Sequence, residues 1–169
     1  MIPLVVGSVI IPQDGQVALE QRYVPVFGGS RVRLSDGSLE QYTRWRRLRT
    51  EITGRGWVPL GLDLLDYDDT VLIDCVAPRS TITTATSVTL PGVRRPDADV
   101  VAHARLGQQD WVRTDVSVSG ETATIMAVTD ALQYQVRWYP RLTCWLAPPD
   151  EGLDVPGADW DWRLVGEEA

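Results

Sequence analysis

The chain has no lysine: all sixteen of its basic residues are arginine. It also has one histidine, one phenylalanine and two cysteines in 169 residues. No apolar run approaches the ~18 residues of a membrane-spanning helix, so no membrane insertion is expected. The opening Met1-Ile2-Pro3-Leu4-Val5-Val6 has no basic flank and is broken by Pro3 and Gly7, so no signal peptide is read there. The lone His103 lies in an apolar, strand-like stretch. Neither a GxSxG elbow nor a Cys-His signature accompanies it, so a structural histidine is expected, with no catalytic residue and no enzyme. Cys75 and Cys144 are far apart, lack CxxC spacing and sit in apolar stretches. That excludes a zinc signature and points to buried free thiols in a protein made in a reducing cytoplasm. Gly28-Gly29 lacks the further glycine and the lysine of a phosphate-binding loop, so no nucleotide or other cofactor is expected.

Hydrophobic residues make up 44 % and charged residues 23 %, which excludes a disordered chain and suits one core. The net charge is −7, against the sign usual for a nucleic-acid-binding domain. That charge is segregated. Ala147 to Ala169 holds seven acids and one arginine, and Arg22 to Arg55 holds eight arginines and three acids. Pro59 to Cys75 has five aspartates and no arginine. Blocks of opposite sign on one chain suit head-to-tail self-association, unless they merely solvate different faces. Seven tryptophans add to this, since Trp and Arg are enriched at interfaces.

Period-two patterning dominates. From Leu132 to Leu146 every even position is apolar, which predicts a half-buried strand with a bulge or break at Pro140. Trp111–Val118, Thr122–Val128 and Val100–Leu106 alternate likewise and predict, with it, a meander of four or more strands. Asp14-Gly15 and Asp36-Gly37 are hairpin turns between strand-formers. Leu39 to Thr53 has apolar spacing compatible with a helix, but it follows a hairpin turn, so a strand is favoured. Pro59 to Asp66 fits a short helical turn, and Val71 to Val76 a buried strand. Residues 78–98 are expected to be a long loop with one short strand. Residues 147–159 read as an extended arm leading to a strand, Trp160-Asp161-Trp162-Arg163-Leu164-Val165. The expected fold is all-β with at most one short helix: an antiparallel β-sandwich or partly closed barrel over residues 1–146, followed by an acidic C-terminal arm over 147–169.

Three groups of residues offer ligand chemistry. Asp63, Asp66, Asp68 and Asp69 offer clustered carboxylates, but not the twelve-residue calcium loop, and read as an acidic surface turn. Arg44-Trp45-Arg46-Arg47-Leu48-Arg49 mixes stacking and phosphate-pairing residues. A strand splits those arginines between two faces, so a subunit interface is favoured over nucleic acid. Surface tryptophans could stack on sugars, which keeps a carbohydrate- or receptor-binding module as the alternative.

One set of motifs has a familiar form. Arg33-Leu34-Ser35-Asp36-Gly37-Ser38 leads through Trp45 to Thr50-Glu51-Ile52-Thr53-Gly54-Arg55-Gly56-Trp57-Val58-Pro59. Gly61-Leu62-Asp63-Leu64-Leu65-Asp66-Tyr67 follows, and the chain closes on Trp160-Asp161-Trp162-Arg163-Leu164 with Glu167-Glu168. This resembles small tail-tip and baseplate proteins of long-tailed bacteriophages, in particular the distal tail protein, itself similar to tail-tube subunits. The resemblance implies a virion protein assembled in the host cytoplasm. It would form a three- or six-fold ring of itself that joins the tail-tube protein to the baseplate hub protein. It brings no catalytic residue, cofactor, metal or specific nucleic acid. The residues expected at subunit interfaces are Arg44, Trp45, Arg46, Arg47, Arg49, Trp57, Trp160 and Trp162.

Overall fold

A computed structural model describes residues 2–11, 16–108 and 110–169. All the regular structure in it is β, and no helix occurs among the described residues. The strands are β1 (Val5–Val6), β2 (Val9–Ile10), β3 (Gln16–Arg33), β4 (Leu39–Gly56), β5 (Val71–Asp74), β6 (Arg79–Thr83), β7 (Ser87–Thr89) and β8 (Val101–Arg105). They continue with β9 (Trp111–Thr114), β10 (Val116–Ser119), β11 (Thr122–Ile125), β12 (Gln133–Trp138), β13 (Arg141–Leu146), β14 (Asp150–Asp154) and β15 (Asp159–Glu168). They form three antiparallel sheets, and no closed barrel is formed among the described residues. The helical turn expected over Pro59–Asp66 is instead a non-helical turn, with Leu65 N donating to Leu62 O at 3.0 Å. The Asp14-Gly15 turn lies outside the described residues.

The chain divides into two compact units, Met1–Val5 with Ile73–Leu142, and Val6–Leu72 with Thr143–Ala169. In the first, a four-stranded sheet (β6-β12-β8-β9) and a three-stranded sheet (β10-β11-β7) share one core. Leu90, Ala102, Ala104, Ala123, Ile125, Tyr134, Val136 and Trp138 build it. Small residues sit beside large ones: Ala104 pairs with Tyr134 and Ala102 with Val136. The expected meander is thus divided among three sheets: β8, β9 and β12 lie in the four-stranded one, β10 and β11 in the three-stranded one, and β13 in a third. Asp115 ends β9, and its carbonyl accepts from Met126 N at 2.8 Å rather than extending the ladder. The 78–98 stretch holds two strands, β6 and β7, not one. Pro140 separates β12 from β13 as its missing N–H requires, and the even positions from Tyr134 to Leu146 are all buried.

The strands of the second unit belong to an eight-stranded sheet, ordered β2-β1-β5-β13-β15-β4-β3, with β14 also pairing β15. β15 shares one edge between β14 (through 159–163) and β13 (through 166–168), while its other edge pairs β4. Its buried face carries Ile52, Trp162 and Leu164. Both cysteines are buried thiols.

Candidate functional site

The most unusual feature is the hairpin of β3 and β4. Both strands have 18 residues, and they pair from Gln16/Gly56 to Arg33/Leu39. β15 pairs β4 only between Arg49 and Gly56. Beyond that, residues 24–33 and 39–48 form a two-stranded ribbon of about 33 Å at ~3.3 Å per residue. Every residue from 29 to 47 is exposed, on both faces. The tip is the Asp36-Gly37 turn. Gly37 has φ +86°, its N–H donates to Leu34 O at 2.9 Å, and Asp36 Oδ1 accepts from Ser38 N at 2.9 Å. The Ser38 hydrogen bonds hold the Asp36 carboxyl below its ordinary value.

The Gly28-Gly29 pair is explained by packing. A Cβ on Gly28 would stand 2.3 Å from the Trp45 indole, so the ring lies directly on the glycine. A Cβ on Gly29 would stand 2.0 Å from Tyr42 O, where a bulge leaves Arg44 opposite no β3 residue. With the register fixed, the ribbon's faces differ. Val26, Gly28, Ser30 and Val32 share one face with Arg47, Trp45, Tyr42 and Glu40. Pro25, Phe27, Arg31 and Arg33 share the other with Leu48, Arg46, Gln41 and Leu39. On that second face the Arg31 guanidinium stands over the Phe27 ring at 5.6 Å.

At the ribbon's base, Val26, Trp45, Arg47, Leu48, Trp145 and Glu167 line a groove of about 390 Å³. Trp45 is 48 % exposed and Trp145 51 %. The C-terminal residues fix this base: Arg47 Nε donates to Ala169 O at 2.7 Å, and Leu48 N to Glu168 Oε2 at 2.9 Å.

Of the residues expected at interfaces, Arg44, Trp45, Arg46 and Arg47 lie together on the exposed ribbon. Arg49 lies where the ribbon joins the sheet and contacts Glu51 (3.3 Å) and Glu167 (4.0 Å). Trp57 is exposed just past β4, apart from the ribbon. Trp160 is half-buried on β15 opposite Gly56. Trp162 is buried with its indole on Gly54, where a Cβ would stand 2.2 Å away, and so belongs to the core of its unit. Sequence reasoning missed Trp145. Its odd position in an alternation whose odd positions are polar was the available signal.

The basic and acidic segments meet within the unit, on the exposed face of the sheet. Glu51 pairs with Arg22 (3.2 Å), Arg49 (3.3 Å) and Arg163 (3.5 Å), and Arg55 with Asp159 (3.0 Å) and Asp161 (3.7 Å). In the acidic turn, the Asp66 carboxylate accepts from Asp68 N (2.9 Å) and that of Asp69 from Thr70 N (2.6 Å). No group of three or more His, Cys, Asp or Glu is placed to hold a metal among the described residues. No helix among them is long and apolar enough to cross a membrane. His103 lies within β8, half-buried, in register with Gln135 and Arg113. Comparison with protein families, curated proteins and solved structures finds no match.

Proposed function

We propose that the chain is a structural subunit of a bacteriophage tail tip, forming an oligomeric ring of three- or six-fold symmetry between the tail-tube protein and the baseplate hub. The observation that carries the reading is the ribbon. A two-stranded ribbon exposed on both faces is marginal in water by itself, and its open edges are a hazard unless another chain covers them. This one exposes Phe27, Val32, Leu39, Tyr42 and Trp45. Exposed apolar side chains on a projecting element suit contact with a neighbouring subunit. The motif resemblance supplies the tail-tip setting, with a sandwich related to tail-tube subunits as the expected fold. Electron microscopy of the purified chain and mass spectrometry of intact virions test it. Rings, and the chain among virion proteins, are expected; a monomer at millimolar concentration, absent from virions, would refute it.

A second reading is a carbohydrate- or receptor-binding module of the virion. Trp45 and Trp145 favour it, because two half-exposed indoles beside one groove are the side chains that stack on sugar faces. Glycan-array binding lost in both Trp45→Ala and Trp145→Ala would support it, and an empty array would remove it.

A further inference from the structure

The ion pairs within the second unit neutralise part of each charged segment and leave two remainders of opposite sign. Arg22, Arg49, Arg55 and Arg163 all have acidic partners on the sheet. Arg31, Arg33, Arg44 and Arg46, all on the ribbon, have none among the described residues. Arg31 Nε donates to Gln41 at 3.0 Å, and Arg33 Nη1 to Gly37 O at 2.8 Å. Three of these arginines share a face with Phe27 and Leu39, 45 % and 56 % exposed, and no acid stands on that face between Pro25 and Arg33 or between Leu39 and Leu48.

The acidic remainder lies on β14 and the loop after β4. Asp150, Glu151 and Asp154 on β14, and Asp63, Asp66, Asp68 and Asp69 in the loop, are exposed and lack a basic partner among the described residues. The two elements are neighbours: burial and the Asp63 charge together raise the Glu151 carboxyl, and Glu151 and Asp63 both act on Tyr67. Bringing like charges together without a cation costs free energy that an incoming cation recovers. Apolar side chains stand among them, with Leu64 wholly exposed, Val155 76 % and Leu153 47 % exposed. Among the described residues, β14 pairs only with β15.

From this complementarity of charge and apolar contact, we infer that the Arg31/Arg33/Arg46 face of the ribbon docks on the β14 and Asp63–Asp69 surface of a second copy of this chain. Every ribbon residue from 29 to 47 is exposed, and the contacts its own chain supplies lie at the base, where Arg47 meets Ala169 and Trp45 borders the groove, so the occupant of the Arg31/Arg33/Arg46 face comes from outside. The contact joins two different surfaces, so it is heterologous and propagates from copy to copy until a ring closes. This rests on the reading of the chain as a self-assembling subunit, and supplies the pair of surfaces that reading lacks.

The test is sedimentation of the full chain at several concentrations and salt levels. Two charge-reversed variants accompany it: Arg31→Glu with Arg46→Glu, and Glu151→Arg with Asp154→Arg. All four positions are exposed, and circular dichroism checks that each variant folds. Each variant alone should self-associate at least about tenfold more weakly than the parent, and association of the parent should fall with salt. Mixing the two should restore assembly, because each then offers the surface the other lacks. If either reversal disturbs folding, Arg46→Gln and Glu151→Gln should show the same direction with smaller effect. Self-association indifferent to both reversals, or a mixture that does not recover, overturns this docking and leaves the subunit reading standing. A parent chain that never self-associates overturns both. Binding of short duplex DNA by the ribbon, without self-association, assigns the arginines to nucleic acid and also overturns the docking.

Discussion

Arg95 is wholly buried in the first unit, and removing it should be the most damaging single change outside the apolar core. Its Nε and Nη2 each donate to an Asp97 carboxylate oxygen at 2.8 Å, a bidentate pair. Its Nη1 donates to three backbone carbonyls: Pro3 at 2.8 Å, Cys75 at 3.0 Å and Asp74 at 3.3 Å. One guanidinium therefore ties the N-terminal segment to the end of β5. Its backbone N–H meanwhile donates to Tyr139 O at 3.0 Å. Beside it, Arg141 makes its own bidentate pair with Asp74 at 2.6 and 2.7 Å. In Arg95→Ala, Asp97 regains water, since its side chain is 53 % exposed, so that half of the loss is small. The carbonyls lose a charged donor, at about 1–3 kcal/mol for each buried group left unsatisfied. The space left by the side chain adds a cavity cost. With each of the three carbonyls at the low end of that range, the total is at least about 3 kcal/mol, within the ~3–5 kcal/mol that breaking a buried ion pair costs. Arg95→Met keeps the apolar stem and should recover about 1 kcal/mol of it. Urea unfolding, followed by tryptophan fluorescence and circular dichroism, measures both. A loss below about 1 kcal/mol in Arg95→Ala would refute the account, because it would mean that the carbonyls find other donors without cost.

The two tryptophan-on-glycine contacts make a matched pair. Gly54→Ala drives a Cβ into the buried Trp162 indole and should cost about 1–3 kcal/mol by overpacking, whereas Gly28→Ala meets an indole half in solvent that can swing aside, and should cost less than ~1 kcal/mol. Thermal melts of both variants check the difference. The Arg95 hydrogen bonds lower the Asp97 carboxyl below its ordinary 3.8, so its contribution to stability is full above that value and is lost as pH falls through the depressed folded value. Asp97→Asn should therefore be destabilised relative to the parent at neutral pH, and the gap should close as the medium is acidified below 3.8. Glu151→Gln removes a carboxylate that burial and Asp63 disfavour, and should stabilise the unit at neutral pH, with the gain fading as acid protonates the parent's Glu151.

Most of the strands were legible because side-chain alternation is local. The apolar even positions from Tyr134 to Leu146, with Pro140 as the break, translate into β12 and β13, whereas Leu132 lies before β12 and is exposed. Leu39–Thr53 was ambiguous because Leu39, Tyr42, Trp45, Leu48 and Ile52 recur at helical spacing. The structure shows why that spacing misleads. The bulge at Arg44 shifts the face on which later residues fall, and the ribbon has no buried side to enforce a period of two. The sorting of strands into sheets was not legible, since pairing joins segments distant in sequence: β6 with β12, and β7 with β11. Arg95 was invisible for the same reason. Its partners at Pro3, Asp74 and Cys75 are brought together only by the tertiary fold. Trp160 and Trp162 looked equivalent in sequence, and two positions in register decide their difference: one lies opposite Gly56 and half-buried, the other on Gly54 in the core.

The segregated charge could have served within the chain or between chains, and the register of β15 against β4 divides it between the two. Antiparallel pairing sets Glu167 opposite Arg49, Val165 opposite Glu51, and Asp161 opposite Arg55. The acids of β15 thus fall beside the arginines at the base of the hairpin. β15 ends its pairing at Arg49, so no acid of that strand pairs with Arg44 or Arg46. The hairpin continues past the end of its neutralising partner, and the arginines beyond that point are the ones left without acids. By the same geometry, Asp150 and Asp154 of β14 pair in register with Arg163 and Asp159, one of them cationic but itself bound to Glu51. Lengthening β15 by acidic residues that continue along β4 would neutralise the ribbon from within. Such a chain should associate less with its own kind while folding more stably, a trade that follows only if the unpaired charges serve contacts between chains.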